Sequence, residues 1–299
     1  MVDTDQDPGP RALRLAKAAG LGFGLDVSEA RFLRVRSTVT VELPLANVVA
    51  RVEAVGAERS AERQVRIARL LAERRAPVAR LVQPERQPRF LEDGAVTLWR
   101  RLEPVADPDF QALGQAVRAV HDATRSSLPP DLPVCDPLAE VRRYLDWPSP
   151  WLGTTESREV HNRADRLTAA WQVAVREDPL GPVIVHGDAH QDNAIVTDDG
   201  LILIDLENAG KGPASWDFAA LKVGVERYGL GSDDYRSFIA GYGSEPGAWE
   251  GHAVLCQVYE LLVASWAMRC SADSPQMAHE ASIRVASVLG RGDEKWKML

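Results

Sequence analysis

Three cysteines in 299 residues, Cys135, Cys256 and Cys270, are too few, too scattered and too odd in number for a disulfide frame or a cysteine zinc site, and they read as reduced thiols. No apolar run approaches the roughly 20 residues that cross a bilayer, and Met1 to Pro10 is acidic without the apolar centre of a signal peptide, so the cytoplasm is the expected location. The G-x-x-x-x-G-K-[ST] phosphate loop is absent. Gly20-Leu21-Gly22-Phe23-Gly24 lacks the third glycine and the preceding strand of a dinucleotide fingerprint. Nor is there a G-x-S-x-G elbow, so a Rossmann oxidoreductase and a serine hydrolase are set aside. The chain also lacks a basic stripe with interleaved aromatics, an internal repeat and a low-complexity linker, which leaves no sign of nucleic-acid binding.

What is present suits an ordinary globular chain. A hydrophobic content of 45% with eight tryptophans is enough for two lobes with real cores. Charge divides unevenly: residues 1–102 hold 18 basic and 13 acidic residues, residues 103–299 hold 17 and 30, giving +5 and −13. A basic part facing phosphates and an acidic part facing an amine would be sensible electrostatically; solvated acids that keep a protein soluble would look the same.

The densest chemistry lies between Val183 and Asp217. His186-Gly187-Asp188-Ala189-His190-Gln191-Asp192-Asn193 follows an apolar run, and Ile204-Asp205-Leu206-Glu207 closes the next. Asp188 and Asn193 have the spacing of the Asp and Asn in the kinase loop H-R-D-x-x-x-x-N, and Asp205 adds a second acid at a strand end. Phosphoryl transfer asks mainly for positioning and charge neutralisation. Mg²⁺ prefers hard oxygen ligands, which the Asn193 amide and the Asp205 carboxylate offer, leaving Asp188 to receive the acceptor's proton. Val183–Val185, 194–196 and 201–204 read as short strands, the last two joined by the turn Thr197-Asp198-Asp199-Gly200. Gly187 suits a tight turn.

His186-Gly187-Asp188, Asn193, Asp205 and Trp216-Asp217 together resemble the signature of the aminoglycoside phosphotransferase family, the small-molecule branch of the protein-kinase-like fold. The resemblance implies an α+β bilobal fold with a small antiparallel N-terminal lobe and a larger, mainly helical C-terminal lobe. It implies ATP or GTP as donor, Mg²⁺ as cofactor and an alcohol as acceptor, with Asp188 as base, His186 orienting it, Asn193 and Asp205 on the metal, and Asp217 bracing the loop. Two other readings compete. His186 and His190 around Asp188 form an H-x-D-x-H pattern that a metal hydrolase could use, while Asp192, Asp198 and Asp199 read as turn acids.

The organisation expected from pattern is an N-terminal nucleotide lobe over 1–102 and a catalytic, acceptor-binding lobe over 103–299. Strands are predicted over Arg31–Val41 and 47–55, a helix over Ser60–Arg75, and a hairpin from Phe90-Leu91 to 95–102 whose exit at Leu98–Leu102 is the hinge, placing Trp99 and Arg101 against the nucleotide. Asp107-Pro108 reads as the cap and first turn of a helix carrying Phe110, Leu113, Val117 and Val120. Three more helices are expected over 235–242, 253–268 and 277–289, with Tyr259 and Trp266 either in the core or lining the acceptor pocket.

The first lobe departs from the family pattern. The stretch that should form a glycine-rich loop, Arg36-Ser37-Thr38, has no glycine, so Ser37 and Thr38 are the substitutes, and Arg51 stands where a phosphate-pairing Lys belongs. Arg grips phosphate bidentately, so the exchange does not exclude transfer; a solvated strand residue is the other reading of Arg51. Its helix partner in this register is Gln64, with Glu62 two residues earlier. These departures motivate the alternative of a nucleotide-binding pseudokinase with little transfer activity. For the acceptor, Asp233, Asp234, Glu245, Glu250 and Glu260 are the candidate carboxylates of an amine-binding surface.

Overall fold

The computed structural model describes residues 8–297 except 36, 37, 54, 55, 93, 148, 150, 247, 248 and 272–274. Two compact units emerge, one of residues 1–107 with Ile195–Glu207, the other of Pro108–Ala194 with Asn208–Leu299.

The first unit is built on an antiparallel sheet of β1 (Arg31–Val35), β2 (Val39–Leu43), β3 (Val48–Val52), β4 (Arg89–Leu91) and β5 (Gly94–Arg100) in the order β1-β2-β3-β5-β4. The single strand expected over Arg31–Val41 is two, folded back with Val35 opposite Val39. Period-two alternation gives the sheet two unlike faces. Val39, Val41 and Leu43, Val48, Ala50 and Val52, and Val96 and Leu98 share one face and pack on Ala12, Leu15, Ala16, Ala19 and Phe23. The first four of these lie on helix α1 (Pro8–Gly22), which the sequence reading did not anticipate: much of its buried stripe is alanine. The opposite face carries Thr40, Glu42, Val49, Arg51, Thr97 and Trp99. Helix α2 (Glu58–Glu73) turns Ala61, Gln64, Val65, Ile67, Ala68 and Leu71 inward. The hairpin of β7 (Ala194–Thr197) and β8 (Gly200–Leu203) joins the first unit through bridges of Val78 to Leu203 and of Ala106 to Val196.

The second unit is mainly helical. Helix α3 (Phe110–Arg125) is capped by Asp109, whose carboxylate accepts from Ala112 N at 2.7 Å, rather than by Asp107 as expected; Asp109 is the acid that stands three residues before a free amide. Helices α4 (Pro137–Leu145) and α5 (Thr154–Glu177) follow, then strand β6 (Pro182–Val185), which pairs with β9 (Gly210–Pro213), and helices α6 (Trp216–Val223), α7 (Ser232–Tyr242), α8 (Glu250–Cys270) and α9 (Pro275–Val288). By length and composition α8 could cross a membrane, which corrects the reading of apolar runs. Here Leu255, Val258, Leu261, Ala264 and Met268 are buried in the core it shares with α4, α5, α6 and α9. Helices α3 and α7 meet backbone to backbone: a Cβ on Gly114 would lie 2.1 Å from Phe238 O, and one on Gly241 2.0 Å from Gln111 O.

Candidate active site

In the second unit, β6 delivers the chain into the loop His186–Asn193. Gly187 takes φ +87°, and a Cβ there would stand 2.5 Å from the Asn208 carbonyl oxygen, so both conformation and space call for glycine. Asp217, in the first turn of α6 and fully buried, accepts from His186 N at 2.8 Å and Gly187 N at 2.7 Å. The Trp216 indole donates to Gly187 O at 3.2 Å, so the loop backbone is held through donors and an acceptor alike. Behind Asp217, His121 Nε2 lies 2.9 Å from its Oδ2, and His121 Nδ1 lies 2.8 Å from the Tyr242 hydroxyl. Burial pushes the Tyr242 phenol up to about 12, so its hydroxyl keeps its proton beside His121 Nδ1.

Asp188 projects from this braced loop with its side chain 31% exposed. Its Oδ1 accepts from the Tyr259 hydroxyl at 3.0 Å, and its Oδ2 from Asn193 Nδ2 at 3.2 Å, with His190 Nε2 at 3.5 Å. Withdrawal from water works against its ionisation, but His190, His186 and the Tyr259 hydrogen bond outweigh that and lower its pKa to about 2. Asp188 is therefore a carboxylate across the whole working range. Asn193, 7% exposed, also directs Nδ2 to Asp188 O at 3.0 Å. With the NH₂ so engaged, the amide oxygen is the atom left to face a cation, which fits a hard-oxygen metal ligand.

The first unit holds a different cluster. Arg51, 9% exposed, reaches Asp205 Oδ1 with Nη1 at 2.8 Å, Glu207 Oε2 with Nη2 at 3.3 Å and Thr38 Oγ1 with Nη2 at 3.0 Å. Among the described residues its buried Nε has no partner. Burial opposes the Arg51 charge, and Asp205 and Glu207 more than restore it, so its pKa is raised. Asp205 takes φ +64°, a left-handed backbone that Asp tolerates better than most residues and that recurs at functional positions. Gln64 does not bond Arg51; it donates to Glu53 Oε1 at 2.8 Å and Ser60 Oγ at 3.2 Å, while Glu62 is exposed. Burial raises the Glu53 pKa against the Gln64 hydrogen bond and Arg51.

The other expected residues are dispersed. Ser37 lies outside the described residues. Trp99 is buried with its indole on Thr97 Oγ1 at 2.8 Å, and Arg101 pairs with Glu42 at 2.6 Å and with Glu103. Of the acceptor carboxylates, Asp233 pairs with Arg236, Asp234 caps α7 at Gly231 N (3.1 Å), and Glu245 and Glu250 are exposed. Glu260 is buried against Arg227, a structural ion pair. Three contributors lie outside the site residues expected from the sequence: Tyr259, read as core or pocket lining, and His121 and Glu207, given no role there. A hydroxyl on an apolar helix, which needs a partner when buried, was the available signal for Tyr259.

A family model described as the phosphotransferase enzyme family matches residues 25–255. No curated protein matches the chain. Solved structures do. An amicoumacin kinase in complex with AMP-PNP, Ca²⁺ and Ami superposes with a TM-score of 0.69 at 14% identity, covering 94% of each chain. A choline kinase from Streptococcus pneumoniae gives 0.65 at 17%, covering 93% of this chain and all of that one. An aminoglycoside phosphotransferase from Streptomyces rimosus gives 0.59 at 18%, covering 83% and 98%. At these identities the likeness is one of fold: the bilobal, α+β kinase-like architecture.

Proposed function

We propose that this chain, which belongs to the phosphotransferase enzyme family, transfers the γ-phosphoryl group of ATP or GTP, with Mg²⁺, to the hydroxyl of a small amine-bearing molecule. The observation that carries this reading is Asp188: a carboxylate ionised at all working pH values, on a loop whose backbone is fixed by Asp217, with the acceptor-ready oxygen of Asn193 beside it. Asp188 orients the acceptor O–H and takes its proton as the bond to phosphorus forms. A base with so low a pKa accepts that proton late, once phosphorus has drawn charge from the oxygen, which suits a loose transition state.

Asn193 and Asp205 are the residues assigned to hold Mg²⁺, which when bound supplies positive charge to the phosphate oxygens. Arg51, with its unpartnered Nε, is assigned to the phosphates. The amine is favoured by the −13 charge of residues 103–299 and by relatives of like fold named for choline, aminopropanol and aminoglycosides. A second reading, a nucleotide-binding protein with little transfer, is favoured by the Arg51 to Asp205 ion pair, which sets a protein cation on a proposed metal ligand.

Incubation with γ-labelled ATP or GTP, Mg²⁺ and paired aminated and neutral alcohols decides between them. Label transfer to an aminated alcohol, lost in Asp188→Asn, is the expected result. Transfer only to neutral alcohols would remove the amine, and nucleotide binding without transfer across the panel would favour the second reading.

A further inference from the structure

The Tyr259 hydroxyl donates to Asp188 Oδ1 at 3.0 Å, the hydrogen bond that an acceptor hydroxyl must make to the same carboxylate before transfer. We propose that this phenol stands in for the acceptor at Asp188 and keeps water off the carboxylate until a true acceptor displaces it. The inference rests on Asp188 being the base of the reaction proposed above.

Three features of the second unit support it. The other carboxylate oxygen is already engaged by Asn193 Nδ2 at 3.2 Å, with His190 at 3.5 Å, so Oδ1 is the atom at which one donor can be exchanged for another. The Tyr259 ring is seated edge-on to Trp216, centroids 5.8 Å apart, and Trp216 also packs on Trp171 at 5.1 Å and bonds the Gly187 carbonyl. The phenol is thereby presented from the scaffold that positions Asp188. Burial and the neighbouring Asp188 carboxylate raise the Tyr259 pKa well above that of a free phenol, so it remains a donor.

The chemistry gives the contact a use. A kinase base with a free oxygen also activates water: the water's O–H proton passes to Asp188, a new P–O bond forms and the bond to the nucleoside diphosphate breaks, wasting the donor as inorganic phosphate. A tethered phenol excludes a lone water because water brings no other binding energy. An acceptor does bring contacts elsewhere on its body, and these offset the loss of the phenol's hydrogen bond when the acceptor's own O–H takes its place at Asp188. Tyr259 is on this view a specificity residue against water.

The test uses the full chain and water as the probe acceptor. Inorganic phosphate release from MgATP, without added alcohol, is followed for the wild type, Tyr259→Phe, Asp188→Asn and the double variant, with MgATP affinity measured by titration for each. Tyr259→Phe should raise the rate roughly tenfold, about what one charge-assisted hydrogen bond is worth, and the double variant should lose that gain. A Tyr259→Phe rate at or below the wild type, with MgATP binding intact, overturns the proposal and makes Tyr259 a positioning residue. Tyr259→Met, which fills the volume without a donor, gives the same readout if Phe does not fold. Failure of the wild type itself to bind MgATP overturns the phosphotransfer reading together with the proposal, and the titration tells that case apart.

Discussion

The two clusters hold their carboxylates by opposite means. In the first unit Asp205 and Glu207 face a guanidinium, so charge is balanced by charge. In the second, Asp188 is held by a phenol and an amide, with imidazoles close by. The phenol and the amide orient the carboxylate without cancelling its charge, and His190 and His186, which lower its pKa, keep it ionised; a guanidinium paired with a carboxylate has to be drawn away before another cation can take its place. The first arrangement is a guarded site and the second an armed one.

The largest effect that would test the contrast is at Asp188. Asp188→Asn should lower turnover by about 10²–10⁴-fold in a transfer assay while nucleotide affinity holds, because its charge is used in the reaction; turnover within a factor of a few would remove the armed side of the comparison. Arg51→Met should destabilise the fold by about 3 kcal/mol in chemical denaturation, since it leaves two acids without their countercharge, and it should tighten Mn²⁺ binding at the same residues. Looser Mn²⁺ binding would mean that Arg51 organises the site instead of guarding it. Asp217→Asn should cost about 2 kcal/mol, as an amide has one acceptor oxygen for the two loop amides, with the same assay deciding.

Acid should separate the two clusters more gently. The Asp188 pKa is lowered to about 2, so its contribution to stability is complete above the unfolded-state value and declines as pH falls from about 4 towards 2. The wild type should thus lose Tm faster than Asp188→Asn over that window, and turnover should show no acid limb from Asp188 between about pH 5 and 9. The smallest effect is at the exposed acids: Glu250→Gln should move stability by less than about 0.5 kcal/mol, and a large change in acceptor KM would place Glu250 in the acceptor site.

The same contrast governs how much could be read in advance. His186 to Asn193 is contiguous, so a loop there that gathers Asp188 and Asn193 could be read from residue order; so could the hairpin turned at Thr197–Gly200. The kinase-like fold and the helical character of the second unit were legible for the same reason. The partners of Arg51 were not, because Thr38, Asp205 and Glu207 come from across the first unit's sequence, and register points to Gln64, which instead bonds Glu53. Helix α1 was passed over because alanines carry periodicity weakly, although Ala12, Leu15, Ala16 and Ala19 follow helical spacing. Tyr259 and His121 each belong to a helix whose pattern explains them as core, and only the partner at the far end of each hydrogen bond shows otherwise.

The bare crossing of α3 and α7 sets a limit on how this protein can change. With Gly114 against Phe238 O and Gly241 against Gln111 O, neither position has room for even a methyl group. Tyr242 follows Gly241 directly, and His121 lies two turns beyond Gly114 on α3, so the distance at which these two rings meet is set by how closely the helices touch. A single alanine at either glycine would wedge the helices apart, draw Tyr242 from His121, and slacken Asp217 and the loop that presents Asp188.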